Sequence, residues 1–133
     1  QIEEGKRERI RSIVESIEPT LTEEDGIVLI ARQADFLPDI VKGIAFGLKP
    51  KFPNLVFVIG SAVGGKPALT VMLGDEIVSR GVDASKVVRE AAKEISGGGG
   101  GQPFYATAGG KDVAGIEKAI FRAVELIKTQ LKR

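Results

Sequence analysis

The chain has 133 residues and contains neither cysteine nor histidine, a length that builds one domain with its own core and needs no disulfide or metal staple. The two absences exclude thiolate metal sites, cysteine nucleophiles and Ser-His-Asp triads, and they remove both the commonest metal ligand and the side chain best suited to proton transfer near neutrality. Nineteen basic residues against eighteen acidic ones leave a net charge of +1, so overall charge points to no polyanionic partner.

In chain order, Ile2, Ile10, Ile13, Val14 and Ile17 recur at helical spacing within a charged stretch and predict an amphipathic helix over residues 2–17, stopped by Pro19. Asp25-Gly26 is a turn signal, and residues 27–31 form an apolar run of strand length with both faces covered. The helical period returns over residues 35–48, with Pro38 tolerated in the first turn. Gly43 and Gly47 lie one turn apart there and invite close approach of another backbone, inside the fold or across a dimer.

Lys49-Pro50-Lys51-Phe52-Pro53 breaks the chain before the most strand-like segment, residues 55–59. Gly64-Gly65-Lys66-Pro67 then turns it into residues 68–73, which predicts an antiparallel hairpin. Asp75 is expected to cap a short helix ending at Gly81, and Asp83 a longer one carrying Val87, Val88, Ala91, Ala92 and Ile95. Val113, Ile116, Ile120, Val124, Ile127 and Leu131 predict a long amphipathic helix to the end. Interleaved strands and helices make the class α/β (α+β), a small mixed β-sheet covered by helices, with an N-terminal helix.

The longest apolar stretch, around Leu55–Val63, is too short to span a bilayer, and no signal-peptide pattern opens the chain. A soluble, cytoplasmic protein is therefore expected. Beginning at Gln1 inside a helical pattern, the chain reads as a fragment of something longer. Charge is uneven along it. Residues 31–66 carry Arg32, Lys42, Lys49, Lys51 and Lys66 against Asp35 and Asp39, and residues 111–133 carry six basic residues against three acids. If the two stretches share a face they make a modest basic patch; otherwise they are ordinary solvated charge.

Five consecutive glycines, Gly97 to Gly101, precede Gln102-Pro103-Phe104-Tyr105-Ala106-Thr107-Ala108 and then Gly109-Gly110-Lys111-Asp112. Each glycine carries roughly 1 kcal/mol more ordering cost than alanine, so such a run inside a domain needs a reason. A flexible linker would be padded with Ser or Thr and would lead into a new domain; this run meets an apolar segment and a helix start, so an ordered loop is expected. It is not a P-loop, because Tyr105 stands where the required glycine would be and Asp112 replaces the magnesium-binding hydroxyl. It is not a dinucleotide fingerprint either, because Gln102 occupies the third glycine position and a helix precedes it. Two readings stay open: bare backbone beside a helix N-terminus near Asp112, offering free amides to phosphate oxygens, or glycines that only let a helix pack tightly on the sheet.

The string from Gly97 to Pro103, followed by Ala106, Ala108, Gly109 and Gly110, resembles the glycine motif of the C-terminal, DHHA1-type domain of alanyl-tRNA synthetase. The resemblance covers residues 20–131, including the hairpin and the helices that follow Asp75 and Asp83. It implies a linking helix over residues 1–19, joined to an editing domain in the family, and a globular domain over 20–133. It implies a tRNA-binding module that holds the tRNA elbow and couples aminoacylation with editing, with alanine-specific tRNA as partner, no membrane, and no active site or cofactor of its own. ATP, magnesium and zinc would belong to other domains of the parent enzyme. Residues placed against RNA on this basis are Gly97, Gly98, Gly99, Gly100, Gly101, Gln102, Tyr105, Gly109, Gly110 and Lys111, with Lys49, Lys51 and Lys66 as further phosphate contacts. DHH-type phosphoesterases carry the same module, but they have a histidine directly after the glycines where this chain has Gln102-Pro103. Phe104 is expected in the core; Tyr105 either packs there or stacks on an exposed nucleobase. The alternatives are a dimerisation or interaction module, with a homodimer through the 35–48 helix or the N-terminal helix, and the single-stranded nucleic-acid-binding domain of a DHH-family phosphoesterase.

Overall fold

In the computed structural model, which describes residues 4–132, the most apolar run of the chain becomes the middle of a sheet. Strand β3 (Leu55–Val63) sends Val56 and Val58 into one core and Leu55, Phe57 and Ile59 into another, as the two-residue period of a strand requires. Two neighbours flank it: β2 (Ile27–Gln33) runs parallel and β4 (Lys66–Leu73) antiparallel. A parallel pair needs a crossover, supplied here by helix α2 (Pro38–Leu48). The expected hairpin forms: Gly64 at φ 62° and Gly65 at φ 75° give the two left-handed positions that a tight turn between twisted strands demands.

Three further strands complete the sheet, and none was expected from the sequence. A two-residue strand, β1 (Glu23–Glu24), folds back on β2. The glycine run is not a loop but strand β5 (Gly98–Gly101), paired antiparallel with β6 (Tyr105–Gly109), which in turn pairs with β4. The spatial order is β1-β2-β3-β4-β6-β5, which leaves the glycines as the last strand on one edge.

Helices cover both faces. On one side, α1 (Glu4–Ile17) and α2 enclose Val28, Ile30, Phe57, Ile59 and Met72; on the other, α3 (Asp75–Ser79), α4 (Ala84–Ala91) and α5 (Ile116–Leu131) enclose Val56, Val58, Leu69, Val71 and Leu73. Of the positions expected in the first helix, Ile2 lies outside the described residues; the rest of that helix runs as expected. A Cβ at Gly47 would stand 3.0 Å from Val14 Cγ2, and one at Gly43 3.1 Å from Ile10 Cγ1, so the small residues of α2 serve packing of α1 within the chain. At Gly60 on β3 a Cβ would stand 2.6 Å from Ile116 Cγ2, which seats α5 directly on the sheet.

The capping expectations divide. Asp83 caps α4, its carboxylate accepting from the Ser85 amide at 2.9 Å. Asp75 does not cap α3: Gly74 is the cap residue, squeezed against the Pro53 backbone where no Cβ fits, and Asp75 instead accepts from Lys49 Nζ at 2.8 Å. Among the described residues, no helix is long and apolar enough to cross a membrane.

Candidate nucleic-acid interface

Register decides what the glycine edge presents. Gln102 and Tyr105 exchange both backbone hydrogen bonds, at 2.8 and 3.3 Å, so the bonded pairs farther along the ladder are Gly100 with Thr107 and Gly98 with Gly109. The intervening residues, Gly99 and Gly101, therefore turn their N–H and C=O groups away from β6, along the open edge of the sheet. Gly98, Gly99 and Gly101 are exposed.

Sterics separate the five glycines into two kinds. A Cβ on Gly97 would fall 2.5 Å from Gly110 Cα, one on Gly99 2.5 Å from Ala108 Cα, and one on Gly101 2.6 Å from Tyr105 O, all against backbone that cannot step aside. Those three are glycine because β5 lies so close to its neighbour. A Cβ on Gly98 would meet nothing within 4 Å, and one on Gly100 only Ser85 Oγ at 3.7 Å. The fold does not require glycine at either position.

Of the two readings open for the helix start near Asp112, the hydrogen bonds favour tight packing over free amides. Gly110 donates to Pro67 O at 3.1 Å, Lys111 and Asp112 both donate to Ile95 O at 2.8 and 3.0 Å, and the Asp112 carboxylate accepts from Ala114 N at 3.1 Å. These groups tie the start of α5 to the end of the α4 segment. A Cβ on Gly110 would stand 2.8 Å from Ile95 Cγ1, so tight internal packing accounts for this glycine. Within the glycine segment, bare backbone open to a partner is thus the outer edge of β5.

Of the lysines expected beside the glycines, two are gathered there. Lys66 begins β4 and Lys111 follows Gly110, whose amide bonds Pro67, so both stand at the Gly97–Gly98 end of the strands. Neither forms an ion pair among the described residues. Lys49 lies at the opposite end, paired with Asp75 at 2.8 Å and 5.3 Å above the Phe104 ring. Lys51 is paired with Glu18 at 3.1 Å and lines a depression with Leu21, Glu23 and Gly26 beside β1, away from the glycines.

At the Gln102 end, Phe104 and Tyr105 are both half-buried against the α1/α2 core. Phe46 of α2 joins them, its ring centroid 5.1 Å from Tyr105 at 57° and 6.4 Å from Phe104 at 86°. It is 41% exposed, with Lys42 Nζ 6.0 Å from its centroid. Burial pushes the Tyr105 phenol above its ordinary value. Phe46 was missed from the sequence although a signal existed: it lies off the apolar stripe of its helix, where a large aromatic ring has no packing duty. The candidate interface is thus a strip of uncovered main chain, with two lysines at one end and an aromatic cluster with lysines at the other. Among the described residues, no three His, Cys, Asp or Glu side chains converge to hold a metal ion.

A family model described as the DHHA1 domain matches residues 25–133. The chain is 41% identical to an alanine–tRNA ligase of Cytophaga hutchinsonii over 96% of its own length, and 46% identical to that of Bacteroides thetaiotaomicron over 95%. It spans 15% of the length of each of these curated relatives. Among solved structures, the C-Ala domain from Aquifex aeolicus alanyl-tRNA synthetase superposes with a TM-score of 0.66 at 28% identity, covering 85% of this chain and 98% of that one. A DHH-domain structure described as a member of the s1p family of ribosomal proteins shares the fold alone, at 15% identity and TM-score 0.58 over 92% of this chain and 31% of that one. The chain belongs to the DHHA1 domain family, and within it resembles the C-terminal domains of alanyl-tRNA synthetases.

Proposed function

We propose that this chain is the tRNA-binding C-terminal module of an alanine-tRNA ligase, holding the elbow of the tRNA so that aminoacylation and editing act on one bound molecule. In this reading the chain contributes binding, and the chemistry that uses ATP, magnesium and zinc belongs to other domains of the parent enzyme. One observation carries the proposal: Gly98 is bare although the fold leaves room for a side chain, and it lies on an exposed edge beside Lys66 and Lys111. A position kept empty without internal need suits close approach by something outside, and main-chain N–H groups flanked by lysines suit phosphate oxygens whatever the base.

The test is Gly98→Glu, which adds a negative charge to open space. The variant should melt like the parent yet bind tRNA at least tenfold more weakly in a filter-binding titration at low salt, because a carboxylate now faces the phosphates. Unchanged affinity in a folded Gly98→Glu protein would refute the placement. The aromatic cluster favours one extension, stacking of Phe46 or Tyr105 on an exposed base or base pair of the folded RNA. Preference for single-stranded DNA over tRNA in a competition assay would instead favour the phosphoesterase-type role. A homodimer through α2 would have to use Leu37 and Phe46, which are 53% and 41% exposed, because Gly43 and Gly47 are occupied by α1.

A further inference from the structure

The two basic stretches of the sequence meet twice in the structure, through Lys66 and Lys111 beside the glycine edge and again on the other side of the sheet. Strand β1 pairs with β2 only at Ile27 and Val28, so the rest of β2 is left without a neighbour on that side. A depression of about 640 Å³ lies along this open edge, and Arg32 from the first basic stretch, Lys128 and Lys132 from the second, and Arg80 after α3 all line it. None of these four forms an ion pair among the described residues. Glu24 and Asp25 are the acidic residues of the lining, so the depression keeps an excess of positive charge. Arg80 is anchored by donating from Nη2 to Leu131 O at 3.0 Å.

Four cations around one depression, outnumbering its two carboxylates and ion-paired with neither among the described residues, give it a positive potential that suits a polyanion. The negative end of the α5 dipole accounts for Lys128 and Lys132, which lie in or just past its last turn. It does not account for Arg32, which comes from the end of β2. Charges that merely guard an open strand edge would need no concave surface behind them.

We propose that this depression is a second site for RNA phosphodiester backbone, holding a segment of the same folded RNA that the glycine edge grips elsewhere. The inference rests on the reading of the chain as an RNA-binding module. Strands β2 and β5 are four neighbours apart in the sheet, roughly 19 Å, so the two sites take different segments of one molecule rather than adjacent phosphates.

The experiment compares the salt dependence of tRNA binding for the parent chain, for Gly98→Glu, and for the triple variant Arg32→Ala, Lys128→Ala, Lys132→Ala, which leaves the anchored Arg80 in place. Circular dichroism and melting confirm that each is folded, and Lys128→Arg with Lys132→Arg serves as the charge-preserving control. The triple variant should lower the slope of log affinity against log salt by about three, roughly one per lost phosphate contact, and the arginine control should retain the parental slope. A folded triple variant with parental slope and affinity overturns the second site while leaving the glycine edge standing, provided Gly98→Glu is impaired. An impaired triple variant beside an unimpaired Gly98→Glu supports the second site and removes the first. A parent chain that binds no tRNA overturns both.

Discussion

Alanine placed at Gly99 and at Gly98 should have opposite effects, although the two positions are adjacent and both exposed. At Gly99 the new methyl would stand 2.5 Å from Ala108 Cα and closer still to Thr107 O, where an ordinary contact needs about 3.5 Å or somewhat less. Neither atom belongs to a flexible side chain, so β5 must move away from β6 by about 1 Å, stretching the bonded pairs at Gly100–Thr107 and Gly98–Gly109. Overpacking of this kind costs about 2–3 kcal/mol. For a chain of this length, that lowers Tm by roughly 6–12 °C. At Gly98 the methyl meets nothing within 4 Å and φ is not in the left-handed region, so alanine restricts only the unfolded chain and raises stability by up to about 1 kcal/mol. Differential scanning calorimetry of the two variants against the parent measures both shifts. Equal melting temperatures, or a larger loss at Gly98, would refute the claim that alternate glycines of the run answer to different demands.

Lys111→Ala should weaken binding about equally across tRNAs and lower the salt slope by about one, whereas Lys51→Ala, on the opposite edge with Glu18, should leave it unchanged; filter binding over a salt series distinguishes them. Tyr105 is the sole tyrosine of a chain without tryptophan, so its absorbance and fluorescence report the aromatic cluster directly. Burial raises its folded pKa, so the phenolate band should appear above pH 10, and stability should begin to fall as pH rises past that ordinary value, where only the unfolded phenol ionises. A band at the ordinary value would contradict the burial. Asp83→Ala removes the side-chain bond to the Ser85 amide and should cost about 1 kcal/mol, read as a lower denaturant midpoint with unchanged slope. Asp35 accepts from Gln33 Nε2 and from Ala62 N, which hold its carboxyl below the usual range; its contribution should be present above the ordinary aspartate value and be lost as pH falls through the lowered one, a dependence that Asp35→Asn abolishes in acid melts.

Elements with a strong side-chain period were legible in the sequence. The helices carrying Ile10 and Val14, Ile40 and Ile44, and Ile116 and Ile120 were readable as such, as was the β3–β4 hairpin with its paired glycines, because each buries a face that must repeat at the element's own pitch. Strand β5 was illegible for the converse reason: four glycines have no face to repeat. Strand β6 does alternate, with Ala106 and Ala108 buried and Thr107 and Gly109 exposed, but five residues hemmed by glycine read as loop until a partner strand is known. Individual glycines show the same limit. Gly110 and Gly101 are adjacent to similar residues in sequence, yet Gly110 answers to the carbonyl-bearing end of the α4 segment and Gly101 to the backbone of β6. The convergence of Arg32 with Lys128 and Lys132 depends on β2 and α5 meeting in space, information carried by packing and not by any local pattern.

The outward row of main-chain groups on β5 also bears on how such a surface can evolve. A grip formed by peptide atoms offers no side chain to exchange, so point substitutions can block it but cannot retune it toward another nucleotide sequence. In the proposed role, any preference among RNA molecules would arise from their outline or from neighbouring rings and cations, with the strip itself an indiscriminate handhold.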